Sequence, residues 1–225
     1  MESINQRLHL PPDYEVDKHP FNGMYRFSTL PQLTDRGKKP CIHYYVDDFF
    51  TVHYGKWGYI NEQGKIVIEP KYDYLVPFGW IGTDQEDYAI AAIVDRNNQL
   101  KCGLIDTKGN EVLPFIYPQL HNMWIGDDAL AFSRDDEKYG LMDFAGNIII
   151  EPAFVDIMGY DRKHRLIIFG ERDEPFDPPR GLYSIDKKQE VLPMNYLDIN
   201  FDDDCIICER YDDNNYEIHK YEEFI

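Results

Sequence analysis

The sequence has no apolar run near the ~18 residues that a bilayer-spanning helix requires. Its most apolar windows, such as residues 148–150, are strand-sized. Residues 1–12 lack a cationic start, an apolar stretch of about 7–15 residues and a small-residue cleavage site, so no secretory leader is visible. Cysteine is scarce: Cys41, Cys102, Cys205 and Cys208 are too few and too scattered for a disulfide framework in a chain of 225 residues. A cytoplasmic location is the expectation. Basic residues are also short, 23 Lys and Arg against 41 Asp and Glu, which leaves a formal net charge of −18. Direct binding to nucleic acid or to an anionic membrane needs a basic footprint, and this balance argues against both.

Catalytic signatures are missing too. No G-x-S-x-G, H-E-x-x-H, Walker-type loop or dinucleotide fingerprint occurs. The seven histidines are dispersed, and His43 and His53, ten apart, fall outside metal-ligand spacing. Cys205-Ile206-Ile207-Cys208 is a C-x-x-C without a second pair of soft ligands or a βαβ context. In an extended strand its thiols point to opposite faces, so it reads as two packed small hydrophobes. The expectation is a protein that is not an enzyme, with no cofactor and no metal.

What the chain does have is aromatics, 17 Tyr and 13 Phe among them, and that content excludes a disordered acidic tail. It also has an internal repeat. Lys56-Trp57-Gly58-Tyr59-Ile60-Asn61 leads through Gly64 to Ile66-Val67-Ile68-Glu69-Pro70. Lys101-Cys102-Gly103-Leu104-Ile105-Asp106 leads through Gly109 to Val112-Leu113-Pro114, and Lys138-Tyr139-Gly140-Leu141-Met142-Asp143 through Gly146 to Ile148-Ile149-Ile150-Glu151-Pro152. A fourth copy, Arg180-Gly181-Leu182-Tyr183, ends at Val191-Leu192-Pro193, with Lys187 where the second glycine should stand.

Each copy predicts a hairpin. A first strand enters a turn whose glycine supplies positive φ. The second strand, residues 65–69 in the first copy, is expected to stop at its proline. An aromatic patch follows: Tyr72 and Tyr74, Phe115 and Tyr117, Phe154, Tyr196. A third strand is expected at residues 88–94, 129–132, 166–169 and 205–208. No amphipathic helix is predicted between residues 40 and 225. The fold class is therefore all-β: about four to five tandem hairpin or meander units, in a stacked solenoid-like array or a closed ring, with an irregular N-terminal cap. Residues 1–225 read as a single repeat domain. Residues 1–22 form an arm, 23–55 a degenerate first repeat, and 56–100, 101–137, 138–179 and 180–225 the repeats. In the degenerate copy, residues 23–30 resemble an opening strand and 41–53 a third strand. Residues 216–225 are expected to add a closing strand.

These residues resemble the WG-repeat family. Lys56-Trp57-Gly58 with Gly64 and Pro70, echoed around Gly103 and Gly140, is similar to its aromatic-glycine signature, over roughly residues 45–200. Only the first copy keeps Trp. The resemblance implies a mostly bacterial, β-rich module used for contacts with other proteins, and no catalytic constellation.

Acids are distributed unevenly. Residues 195–225 carry ten against two bases, whereas residues 1–55 are near neutrality with seven against six. They gather in turns before the third strand (Asp84, Glu86, Asp87; Asp127, Asp128; Asp202, Asp203, Asp204) and after it (Asp135, Asp136, Glu137; Asp212, Asp213). Turns of a repeat map to one face, so such acids are expected to form stripes. Trp124 and Tyr211 lie beside them as candidate apolar anchors. One account of the stripes is a solvated, aggregation-resistant surface. The sharper account is a docking face for a basic protein, in its most concrete form an acidic immunity protein or inhibitor that neutralises a basic toxin domain. A small-ligand or glycan binder or enzyme using aromatic clefts between repeats, and an architectural scaffold, are the alternatives.

Overall fold

The computed structural model describes residues 3–29, 56–78, 87–121, 125, 129–135, 137–171, 179–210 and 215–225. The chain divides into two compact units, Met1–Pro118 and Gln119–Ile225. It is all-β, built of antiparallel meanders. In the first unit, one sheet runs β1 (Tyr14–Val16), β2 (Met24–Thr29), β3 (Trp57–Asn61), β4 (Ile66–Tyr72). The next runs β5 (Tyr74–Leu75), β6 (Tyr88–Val94), β7 (Leu100–Asp106), β8 (Glu111–Tyr117). The second unit has β9 (Gln119–His121), β10 (Ala129–Ser133), β11 (Tyr139–Asp143) and β12 (Ile148–Phe154) in one sheet. Its other sheet has six strands: β13 (Asp156–Asp161), β14 (Leu166–Gly170), β15 (Arg180–Ser184), β16 (Gln189–Phe201), β17 (Cys205–Arg210) and β18 (Tyr216–Lys220).

The four stretches expected as third strands are β6, β10, β14 and the start of β17. Each lead glycine falls in the strand that follows a third strand, and the hairpin's second strand ends the sheet in the first three copies, whereas β16 goes on to pair with β17. Gly64, Gly109 and Gly146 hold φ of 75°, 79° and 84°. Their N–H groups donate to the carbonyls of Asn61, Asp106 and Asp143, which closes a three-residue loop. In the fourth copy the loop is one residue longer: Ser184 pairs with Gln189, and Lys188 takes the positive φ of 54°.

The prolines do not end the second strands. β4 runs through Pro70, β8 through Pro114, β12 through Pro152 and β16 through Pro193. The reason is a bulge on the hairpin's second strand. Trp57 pairs with Tyr72 but Tyr59 with Ile68, so four steps on β4 oppose two on β3. The same offset recurs at Cys102/Tyr117 and Leu104/Leu113, at Tyr139/Phe154 and Leu141/Ile150, and at Arg180/Tyr196 and Leu182/Leu192. Inside a bulge the ladder is already interrupted, so a residue without an N–H costs little there.

The bulge explains the lead glycine as well. A Cβ on Gly58 would lie 2.4 Å from the Ile68 carbonyl oxygen and 2.8 Å from the Pro70 nitrogen. On Gly140 it would lie 2.4 Å from the Ile150 oxygen and 2.7 Å from the Pro152 nitrogen. Backbone meets backbone at these points, and only glycine permits it.

Within each unit the two sheets share a core. Trp57, Tyr59, Tyr72, Leu75, Phe78 and Ile105 form one in the first unit. Tyr139, Leu141, Phe154, Ile157 and Ile167 belong to one in the second. A further cluster there joins Leu182, Leu192, Tyr196 and Ile206 to Tyr221 and Phe224 at the C-terminal end.

The N-terminal residues pack onto the first sheet. Ser3 and Gln6 form a reciprocal capping box on α1 (Ile4–Arg7), and Leu8 is buried with Tyr25, Phe27 and Ile60. β2 pairs with β3 in the place that β6 takes beside β7, so Met24–Thr29 supplies a third strand rather than an opening one. Residues 41–53 lie outside the described residues. Among those described, helix is confined to α1 and a 3-10 turn at Tyr221–Glu223.

Gly140→Ala is expected to destabilise the protein by about 1–3 kcal/mol, since the methyl group has no room to relax against the crossing backbone. A urea midpoint unchanged from the parent would refute the close crossing.

Candidate functional site

The hairpin-turn carboxylates belong to the fold itself. Asp106 Oδ1 accepts from the N–H groups of Asn110 at 2.8 Å and Lys108 at 2.9 Å, and its Oδ2 from the Asn110 side chain at 2.7 Å. Asp143 repeats the set with Asn147 at 2.8 Å, Ala145 at 2.9 Å and the Asn147 side chain at 2.8 Å. Partial burial works against ionisation at both, yet these hydrogen bonds outweigh it and hold each carboxyl below the usual range. Asn61 does the same work in the first copy, accepting from Gln63 and Lys65. The spacing Asn/Asp-x-x-Gly carries that signal in the sequence.

Of the acids and aromatics singled out from sequence, Asp84, Glu86, Trp124, Asp127, Asp128, Asp136, Tyr211, Asp212 and Asp213 lie outside the described residues. Asp87 is exposed at the entry to β6 in the first unit. In the second unit Asp135 and Glu137 are exposed between β10 and β11. Asp135 Oδ1 accepts from the Glu137 N–H at 3.1 Å, so this acid also shapes its turn. Asp202, Asp203 and Asp204 are exposed between β16 and β17, with the Asp202 N–H donating to the Cys205 carbonyl. Turns before and after a strand stand at its opposite ends. Among the described acids, Asp87 and Asp202, Asp203 and Asp204 therefore stand at the start of a third strand, and Asp135 and Glu137 at the end of one.

The recurrent aromatics are used internally. Tyr72, Tyr74, Phe154 and Tyr196 are buried, and Tyr72 stacks on Phe115 with ring centroids 5.7 Å apart.

A charged network spans β15 to β18. Arg180 pairs with Asp198, Arg210 Nε with Glu217 Oε1, and Tyr196 Oη donates to Glu217 Oε2 at 2.9 Å. His219 lies between Glu217 at 3.3 Å and Glu223 at 3.2 Å. Hydrogen bonds from Arg210 and then Tyr196 hold the Glu217 carboxyl below its usual range. Burial, followed by the Glu217 hydrogen bond, pushes the Tyr196 hydroxyl up to about 12. Sequence inspection did not single out this network, because its members are scattered over four strands and meet only through cross-strand register.

Cys208 lies beside the network and is buried, whereas Cys205 is half-buried and aligned with Lys220. Burial first, then the negative charges of Glu217 and Asp198, push the Cys208 thiol up to about 12. Among the described residues no group of three or more His, Cys, Asp or Glu is arranged to hold a metal ion. No described helix is long and apolar enough to cross a membrane.

The thiolate is the reactive form. Alkylation of the native protein by iodoacetamide near pH 8 is therefore expected to spare Cys208 and to modify Cys205, as read by peptide mass mapping. Equal labelling of both would contradict the burial and charge assigned to Cys208.

The WG containing repeat family matches residues 57–79 and 103–123, the first two of the copies traced above. A search of curated proteins returns no match. Among solved structures, the chain is similar to the crystal structure of HIRA(644-1017) at 7% identity and a TM-score of 0.32, over 60% of this chain and 50% of that one. The chain thus spans half the length of that structure. Repeat type and all-β fold together suggest a protein-interaction module.

Proposed function

From a chain built on WG-type repeats, we propose a non-enzymatic, cytoplasmic protein-binding module that engages a basic protein. In its most concrete form it is an immunity protein or inhibitor, covering the cationic cleft of a toxin domain such as a nuclease with carboxylates that stand in for phosphate. The observation that carries this reading is the charge asymmetry: −18 overall, with ten acids and two bases in residues 195–225. Exposed acids at Asp202, Asp203 and Asp204 support it, since surface charge of one sign speeds encounter with an oppositely charged partner and selects against others. Asp135 and Glu137 contribute a second exposed set.

Charge steering is screened by salt. Binding to a panel of cationic nuclease domains, beginning with any encoded beside this protein, is expected to be sub-micromolar at about 50 mM salt and to weaken about tenfold or more near 300 mM. Replacing Asp202, Asp203 and Asp204 together by Asn is expected to slow association more than it speeds dissociation, as followed by surface plasmon resonance. Absence of any such partner, or binding indifferent to salt, would overturn the proposal.

A further inference from the structure

In every complete copy the strand carrying the lead glycine is flanked on both sides: β3 by β2 and β4, β7 by β6 and β8, β11 by β10 and β12, β15 by β14 and β16. β18 stands in the same place beside β17. The pairing of Cys208 with Glu217 matches that of Phe169 with Gly181, so Tyr216-Glu217-Ile218 corresponds to Arg180-Gly181-Leu182. Yet β18 is the last strand of its sheet, and no described segment pairs with its outer edge.

The Arg210 N–H donates to the Asn215 carbonyl. Alternation along the strand then turns the backbone groups of Glu217 and His219 toward β17 and those of Tyr216 and Ile218 outward. The Lys220 N–H is taken by Glu223 Oε1 at 2.8 Å, which closes the edge beyond it.

The side chains are open as well. Leu182 is fully buried, but its counterpart Ile218 is 71% exposed and Tyr216 is 66% exposed. Edge strands are ordinarily guarded by charge, proline or cover. Here two large apolar side chains face out beside a carboxylate: Tyr216 aligns with Glu209 on β17.

We infer that the outer edge and face of β18 accept a regular, cationic β-strand from a basic partner protein. The inference rests on the proposed function and specifies its mode of contact. The strand added is a regular one, because Glu217 stands where the other copies have glycine and so excludes the bulge seen in β4, β8, β12 and β16. Charge selects the occupant: a second copy would set −18 against −18, while Lys or Arg on an incoming strand would approach a segment, residues 195–225, that carries ten acids against two bases. Main-chain bonds would supply affinity and the alternate side chains selectivity.

The test uses the full chain and a fluorescent peptide of about eight alternating Lys and Val residues, a typical strand length. Anisotropy at low salt is expected to show binding that Ile218→Lys weakens about tenfold or more, and that N-methylation along one edge of the peptide weakens likewise. Tyr216→Lys, at an equally exposed site, provides a second variant, and unchanged urea midpoints show that both remain folded. Three results would overturn the inference: no peptide binding, binding indifferent to both variants and to N-methylation, or self-association in sedimentation that Ile218→Lys abolishes. Salt-sensitive capture of cationic proteins that survives Ile218→Lys would leave the proposed function standing and remove this inference alone.

Discussion

Everything in this fold depends on one close approach, the passage of a bulged second strand over a lead glycine. With the backbone of Ile68 and Pro70 lying where a Cβ of Gly58 would have to be, the hairpin's second strand can gain two residues without leaving the sheet. Those extra residues bring Tyr72 opposite Trp57, and both rings then enter the core that the two sheets of the first unit share. Glycine, proline and aromatic are thus three parts of one device. The aromatic before the glycine is the adjustable part: Cys102 replaces it in the second copy and Arg180 in the fourth, while the offset persists.

The same device governs which surfaces are left over. Apolar rings are drawn inward at each crossing, so polar and charged residues concentrate in the turns. Some of these carboxylates are structural. Asp106 and Asp143 satisfy the N–H groups of their own loops, much as a capping residue satisfies a helix end. Others, such as Asp203 and Asp204, are exposed in the turn that opens β17.

Much of the architecture was legible before any coordinates. β6 runs over the very residues expected, because Tyr88-Ala-Ile-Ala-Ala-Ile-Val94 is apolar, strand-length and bounded by polar turns. The positive φ at Gly64, Gly109 and Gly146 followed from repetition alone. The continuation through Pro70 was not legible. A proline reads as a stop wherever its N–H would be needed, and whether it is needed depends on which strand stands at the edge and where the ladder slips. The candidate site was legible only as runs of acid. Separating turn-forming carboxylates such as Asp135 from outward-facing ones takes hydrogen-bond geometry, and the Arg210–Glu217–Tyr196 network exists only through register across β16, β17 and β18.

β16 breaks the pattern of the earlier copies. Where β4 and β5, β8 and β9, and β12 and β13 are separate strands, residues 189–201 continue unbroken, pairing first with β15 and then with β17. One continuous strand thus serves as a splint between the fourth copy and the two strands beyond it. Load applied at β17 or β18 passes along that splint into the ladder of β15 and its hairpin. The C-terminal half-copy therefore lacks the hinge that a break in the strand would provide, and it should open and close together with the sheet behind it as a single cooperative block.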